Sequence, residues 1–447
     1  MTARLLTALI LSVLAIFAVP AEAQQGPQAA PTTRIEVNAL PPAGVQNFDP
    51  GKATDAYLAR VSPKDKARSD AYFEGGTVLS VVDVVYTIAI SALLLWLGLS
   101  ARMRNFAVRI SRFRFLQAPV YVAQYVVATT VLSLPLIVYE GFIREHAYGL
   151  SNQTWQQWSF EFFVGFVLQL VGFTILLTLI YAAARAVQRR WWIWGAGLTV
   201  GFFVVVMTIY PVFIAPLFNT YTPLPDSGMK STILSMARSQ GIPAKDVFTY
   251  DASKQSKRIS ANVSGLFGTT RISLNDNLLN RCTPSEVISV VGHEMGHYVM
   301  NHVATSLTWM GLILFAVFWL VDRAFHGLVR VFGARWDVKG IDDPAGLPAV
   351  TALFAFIFFL ATPLTNTLTR VQESEADIFG LNLARLPDAE ATVDLKLGEY
   401  RKLDPSPLEE FIFFDHPSGR TRIAMAMRWK AEHINDPDIM AGPISPQ

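Results

Sequence analysis

Six stretches of the chain run for about 20 residues with almost no charge, at roughly 78–99, 118–141, 159–183, 193–218, 303–322 and 347–366. That is the length an α-helix needs to cross a hydrocarbon core about 30 Å thick. Composition agrees, with 52% of residues apolar and 16% charged, against roughly 25% charged in soluble domains. The chain is predicted to be mainly α, a polytopic membrane helical bundle of six spans. Transmembrane helices fall within 77–218 and 303–369, and polar blocks remain at 219–302 and 370–447.

The segment 1–23 reads as a signal. Arg4 supplies the positive start, Leu5 to Val19 the apolar core, and Ala21-Glu22-Ala23 a small-x-small cleavage site. Left uncleaved, it would be a signal anchor and a seventh span. Residues 24–76 then form a polar exported linker, predicted helical from Asp55 to Phe73.

Basic residues set the expected orientation. Arg102, Arg104, Arg109, Arg112 and Arg114 follow the first span, Arg185, Arg189 and Arg190 the third, and Arg323, Arg330, Arg335 and Lys339 the fifth. The 142–157 loop carries only Arg144. Basic loops face the cytoplasm, so the linker, the 142–157 loop and both polar blocks are expected on the other side. The net charge of +2 and the lack of a basic run with interleaved aromatics exclude a nucleic-acid partner. The single cysteine, Cys282, excludes an intramolecular disulfide and a cysteine-rich metal site. Any metal must be held by His and carboxylates.

Such a set is present. Thr283-Pro284-Ser285-Glu286 starts a helix, with Thr283 as cap, Pro284 at its first position and Glu286 completing a capping box. On that helix His293 and His297 lie four residues apart, so both imidazoles reach one ion from one face. Glu294 stands one residue on, angled toward an open coordination position. Catalytic zinc keeps such a position for water, and a nearby carboxylate can take that water's proton. A third ligand must arrive from elsewhere. The best source is Arg370-Val371-Gln372-Glu373-Ser374-Glu375-Ala376-Asp377, where Glu373 and Asp377 share a helical face and Glu375 points away as a solvated charge. His302 lies half a turn off the face of His293 and is expected to pack rather than ligate.

Ser260-Ala261-Asn262-Val263-Ser264-Gly265-Leu266 alternates small or polar with apolar residues, and Thr270-Arg271-Ile272-Ser273-Leu274 follows. The pattern predicts two short strands joined by a Gly-containing turn, making the polar part a small α+β domain.

Four segments together resemble a known family. They are His293-Glu294-Met295-Gly296-His297 with Asn301-His302, then Asn366-Thr367-Leu368-Thr369-Arg370 leading into Glu373 and Asp377. The others are His416-Pro417 with Arg422, and Glu145-His146 with Gly149 and Asn152. Over about residues 55–430 the sequence is similar to the integral-membrane CAAX prenyl endopeptidases, zinc enzymes with bacterial relatives. The resemblance implies Zn2+ held by His293, His297 and Glu373, with Glu294 as base and Asp377 orienting a zinc-bound His. It implies His416 at the oxyanion, with Arg422 bracing that site and sharing in charge stabilisation. It also implies that Asn262, Val263, Ser264 and Gly265 form an edge strand that holds substrate extended. The helices would enclose a chamber open to the zinc, for which Asp83 and Gln124 supply polar groups inside apolar segments.

Two departures follow. Eukaryotic members work on the cytosolic side, whereas here the Arg pattern and signal put catalysis in the periplasm of a bacterial inner membrane. Nothing in the sequence shows a prenyl substrate. The expected function is a zinc metalloendopeptidase acting on peptide or protein, including lipidated or membrane-embedded substrates, in contact with membrane lipids. The alternatives are a quality-control protease without prenyl specificity and a non-enzymatic membrane protein.

Overall fold

The computed structural model describes residues 48–265 and 270–440. The signal segment 1–23 and the linker up to residue 47 lie outside the described residues, as does the turn at 266–269.

Ser62 caps a helix whose first residue is Pro63, by accepting from the Asp65 amide at 3.1 Å. That helix runs unbroken from Pro63–Trp96. The boundary expected near residue 76 therefore falls inside one element, because nothing between Phe73 and Val78 interrupts the backbone ladder. At 1.5 Å per residue its 34 residues reach about 50 Å, longer than a hydrocarbon core is thick. Three more stretches are long and apolar enough to cross: Arg114–Ala147, Trp155–Leu217 and His302–Trp336. The second of these has 63 residues. It turns back at Gln188–Arg190, so that the Phe202 ring packs over Gly172. The apolar run at 347–366 is not one straight helix. Leu347–Leu360 gives way to Thr362–Ala384, and the pair is bent by 52°. Pro363, at the start of the second piece, has no amide to continue the first.

The two ends of the bundle differ. At one end Arg104 bonds Asp343 at 2.8 Å and also Asp337, while Trp191 Nε1 donates to Asp322 at 2.6 Å. These contacts gather the three Arg-rich loops. At the other end Asn152 and Lys257 amides bond Gln255 and Leu150 carbonyls, both at 3.0 Å. The Arg-poor loop thus lies against the polar domain.

In that domain β1 (Tyr221–Pro223), β2 (Val247–Tyr250), β3 (Ala261–Ser264) and β4 (Arg271–Asn275) form one sheet in the order β1-β2-β4-β3. β3 is an edge strand, antiparallel to β4 with Asn262 opposite Ser273. The pairing is the one expected from the alternation. The motif helix, Pro284–Val299, packs Val287, Val291 and Met295 on Val247, Ile272 and Leu274 of the sheet. Its capping box forms as expected, with Glu286 N to Thr283 Oγ1 at 3.3 Å and Thr283 N to Glu286 Oε2 at 2.7 Å.

Candidate metal centre

The helical spacing of His293 and His297 brings their Nε2 atoms to 3.0 Å. The helix Thr362–Ala384 then delivers Glu373, whose oxygens lie 3.4 Å from each Nε2. Small residues make this approach possible. Gly292 and Gly296 on the motif helix face Ala376 and Gly380. A Cβ on Gly380 would come within 2.9 Å of the His293 amide nitrogen, and one on Gly296 within 3.1 Å of the Ala376 Cα. Glycine is required here for backbone contact. The spacings suit a metal. Ligands about 2.1 Å from a tetrahedral zinc lie roughly 3.4 Å apart, and two facing imidazole nitrogens repel unless a proton or cation sits between them.

Each histidine is held from behind by its other nitrogen. His293 Nδ1 is 2.7 Å from Asp377 Oδ1, which fixes the tautomer that turns the Nε2 lone pair inward. Burial opposes a charge on His293, but hydrogen bonds to Asp377 and Glu373 raise its pKa well above the ordinary value. His297 Nδ1 lies 2.8 Å from His302 Nδ1, and His302 Nε2 lies 3.2 Å from Glu375. Burial, together with the charge on His293, lowers the His297 pKa to about 4, keeping it neutral. His302 is buried against the His297 ring, as expected of a packing residue, and Glu375 is exposed as expected, but the two also link through hydrogen-bonding distances to His297. Asn301 takes φ 56°, the left-handed region, which breaks the motif helix and folds His302 back onto His297.

Arg422 is also placed differently from expectation. Its guanidinium is buried and bonds Asp377 at 2.9 Å, Asp394 at 3.2 Å and Glu390 at 3.4 Å. These bonds point behind His293 rather than toward a developing charge. Burial disfavours the cation, but the three acids outweigh it and raise its pKa. Glu390 and Asp394 lie outside the sequence motifs and gave no signal beyond their spacing of four.

His416 Nε2 comes within 3.4 Å of Glu373, and its Nδ1 is 2.8 Å from Asp415. The segment bearing it is pinned by Asn366, which donates to the Ile412 carbonyl at 2.8 Å. Arg370 adds bonds to the Glu410 carbonyl at 2.9 Å and to that of Phe414. Glu294 borders two cavities. One, of about 1090 Å³, extends among the apolar helices and reaches His297 and Glu373. The other, of about 230 Å³, is bounded by Ser260, Ala261 and His416. Burial, reinforced by the charge on Glu373, pushes the Glu294 carboxyl up to about 7, where it can both take and return a proton near neutral pH. Asp83 and Gln124 do not line the large cavity. Asp83 is exposed, and Gln124 caps the Val120 and Met103 carbonyls at 3.0 and 3.3 Å. Thr87, Ser91, Ser133 and Gln169 supply polar lining instead.

Beside this centre, β3 leaves one edge unpaired among the described residues. Ser264 Oγ bonds Asn262 Oδ1 at 3.1 Å, and Gly265 takes φ 118°.

Bundle, buried donors and adjoining cavities place the chain among membrane-embedded metalloproteases. Comparison with known proteins agrees. Residues 223–430 match peptidase family M48, and residues 51–220 match the CAAX prenyl protease N-terminal region of five membrane helices. A Bacillus subtilis protein described as uncharacterized metalloprotease YhfN is 31% identical over 82% of this chain and 86% of its own length. The CAAX prenyl protease 1 of Saccharomyces cerevisiae is 29% identical over 66% of this chain and 68% of its length. The fold matches the crystal structure of S. mikatae Ste24p with a TM-score of 0.68 at 22% identity, covering 85% of this chain and 95% of that one. The chain belongs to peptidase family M48. Family membership overturns the non-enzymatic alternative.

Proposed function

We propose that the chain is a zinc endopeptidase whose metal is held by His293, His297 and Glu373. The observation that carries this is the trio of donors 3.0 to 3.4 Å apart, with Glu294 beside them at the border of two cavities. Zinc bound there would lower the pKa of a water and polarise a peptide carbonyl. Glu294 accepts the proton of the attacking water and passes it to the leaving amine. His416, held through Nδ1 by Asp415 at 2.8 Å, directs Nε2 toward the carbonyl oxygen as charge builds. Asp377 fixes His293, and Arg422 fixes Asp377, so Arg422 acts as a positioning residue. The free edge of β3, at Asn262 to Gly265, binds substrate backbone as an added strand.

The Arg-rich loops lie at the end opposite the metal centre. Read with the positive-inside rule, this supports a bacterial inner-membrane protein with a periplasmic catalytic side. The large apolar cavity suits a lipidated or membrane-embedded peptide, and the prenyl protease relatives favour the first. Cleavage of a farnesylated peptide and its unmodified form at equal rates would favour quality control instead.

The test uses the full chain in detergent with an internally quenched peptide. A zinc chelator is expected to abolish cleavage, and one equivalent of zinc to restore it. Cleavage that persists after the metal is stripped contradicts the proposal.

A further inference from the structure

Two arginines border the small cavity, and only one is committed to neighbouring acids. Arg422 is taken by Asp377, Glu390 and Asp394. Arg401 lines the same space as Glu294 and His416, and its guanidinium, 5.9 Å from the Tyr400 ring centre, donates no hydrogen bond to any described residue. Its position is nevertheless fixed. The Arg401 carbonyl accepts from the buried Ser69 hydroxyl at 3.0 Å. On either side, Lys402 bonds Glu74 at 2.7 Å and Glu399 bonds Arg281 at 2.6 Å. The loop carrying Arg401 is thereby clamped to the first long helix and to the protease domain.

The charges around it leave room for a partner. Glu390 is occupied by Ser289 at 2.6 Å and by Arg422. Glu373 is turned to the histidines. Asp415 is tied to His416 at 2.8 Å. Burial raises the Asp415 carboxyl, but His416 and then Arg401 bring it below its ordinary value, so the guanidinium charge is felt at this wall. Among the described residues, no Lys or Arg lines the large cavity. Among the described residues lining these two cavities, the guanidinium available to an anionic group on a peptide lies in the small one.

We propose that Arg401 anchors a carboxylate-binding subsite, which receives either the terminal carboxylate of the peptide or an Asp or Glu side chain beside the scissile bond. The guanidinium fork matches a carboxylate in two parallel hydrogen bonds. Specificity would then be two-sided, apolar in the chamber and anionic in the small cavity. This rests on the protease reading of the metal centre.

The test compares one quenched peptide in matched forms, with a C-terminal acid or amide, and with Asp or Asn at positions flanking the cleaved bond. For the zinc-loaded full chain, kcat/KM is expected to favour one carboxylate form by about tenfold or more, the range of a charge-assisted hydrogen bond. Which arm shows the preference identifies the source of the carboxylate. In Arg401→Gln the ratio should fall to about one, and in Arg401→Glu a Lys-bearing peptide should be preferred. Ratios taken within one variant cancel any shared loss of folding or metal. Binding of fluorescent versions to the Glu294→Gln protein reads the same ratio without turnover, so a failed protease assignment is seen separately from a failed subsite. A carboxylate preference that survives in Arg401→Gln, or equal handling of all forms by the unaltered chain, overturns the proposal.

Discussion

Replacing Glu294 with Gln is expected to lower kcat for peptide cleavage by about 10²- to 10⁴-fold, the usual contribution of a general base, while zinc stays bound. Gln keeps the shape of the side chain, but it cannot accept a proton. The proposed metal donors lie on His293, His297 and Glu373, so the substitution removes none of them. Steady-state kinetics with saturating peptide, alongside zinc content, separates the two effects. Near-normal turnover in this variant would remove Glu294 from the chemistry.

Arg422→Met is expected to destabilise the fold by about 3–5 kcal/mol, the cost of breaking a buried ion pair by deleting one partner. Asp377, Glu390 and Asp394 would remain buried with no cation between them. Met fills a similar volume, so packing is a minor part of the loss. Zinc affinity should also fall, by about 10- to 100-fold, because Asp377 would no longer hold His293 in one orientation. Thermal unfolding with and without excess zinc measures both effects. A variant of normal stability that is slow only in kcat would place the guanidinium at the reacting carbonyl instead.

Much of this architecture is legible in the sequence because its signals are local. A run of apolar residues declares its own helix, and His293 and His297 share a face by spacing alone. The alternation at 260–266 likewise placed β3 correctly beside β4. The rest depends on where elements meet. Glu373 and Asp377 share a face, and only the crossing at Gly292, Gly296, Ala376 and Gly380 puts the first at the nitrogens and the second behind the ring. The small residues at those four positions were visible, but their partners were 84 residues away in the pattern His293 to Asp377. The contact of His302 with His297 was not legible because counting residues assumes a continuous helix, and Asn301 breaks it. The bend after Leu360 was hidden by an apolar run that continues through it, although Pro363 marked the place. Arg401 belongs to no motif, and its relevance follows from a loop clamped by Ser69.

On the reading proposed above, His293, His297 and Glu373 together hold the catalytic metal. The most direct test of that reading is the metal content of the purified full chain, measured by elemental analysis beside His297→Ala and Glu373→Ala. One zinc per chain is expected in the unaltered protein and in Glu294→Gln, and close to none in the two ligand variants. Full zinc in Glu373→Ala, or none in the unaltered protein after supply of zinc, would contradict it.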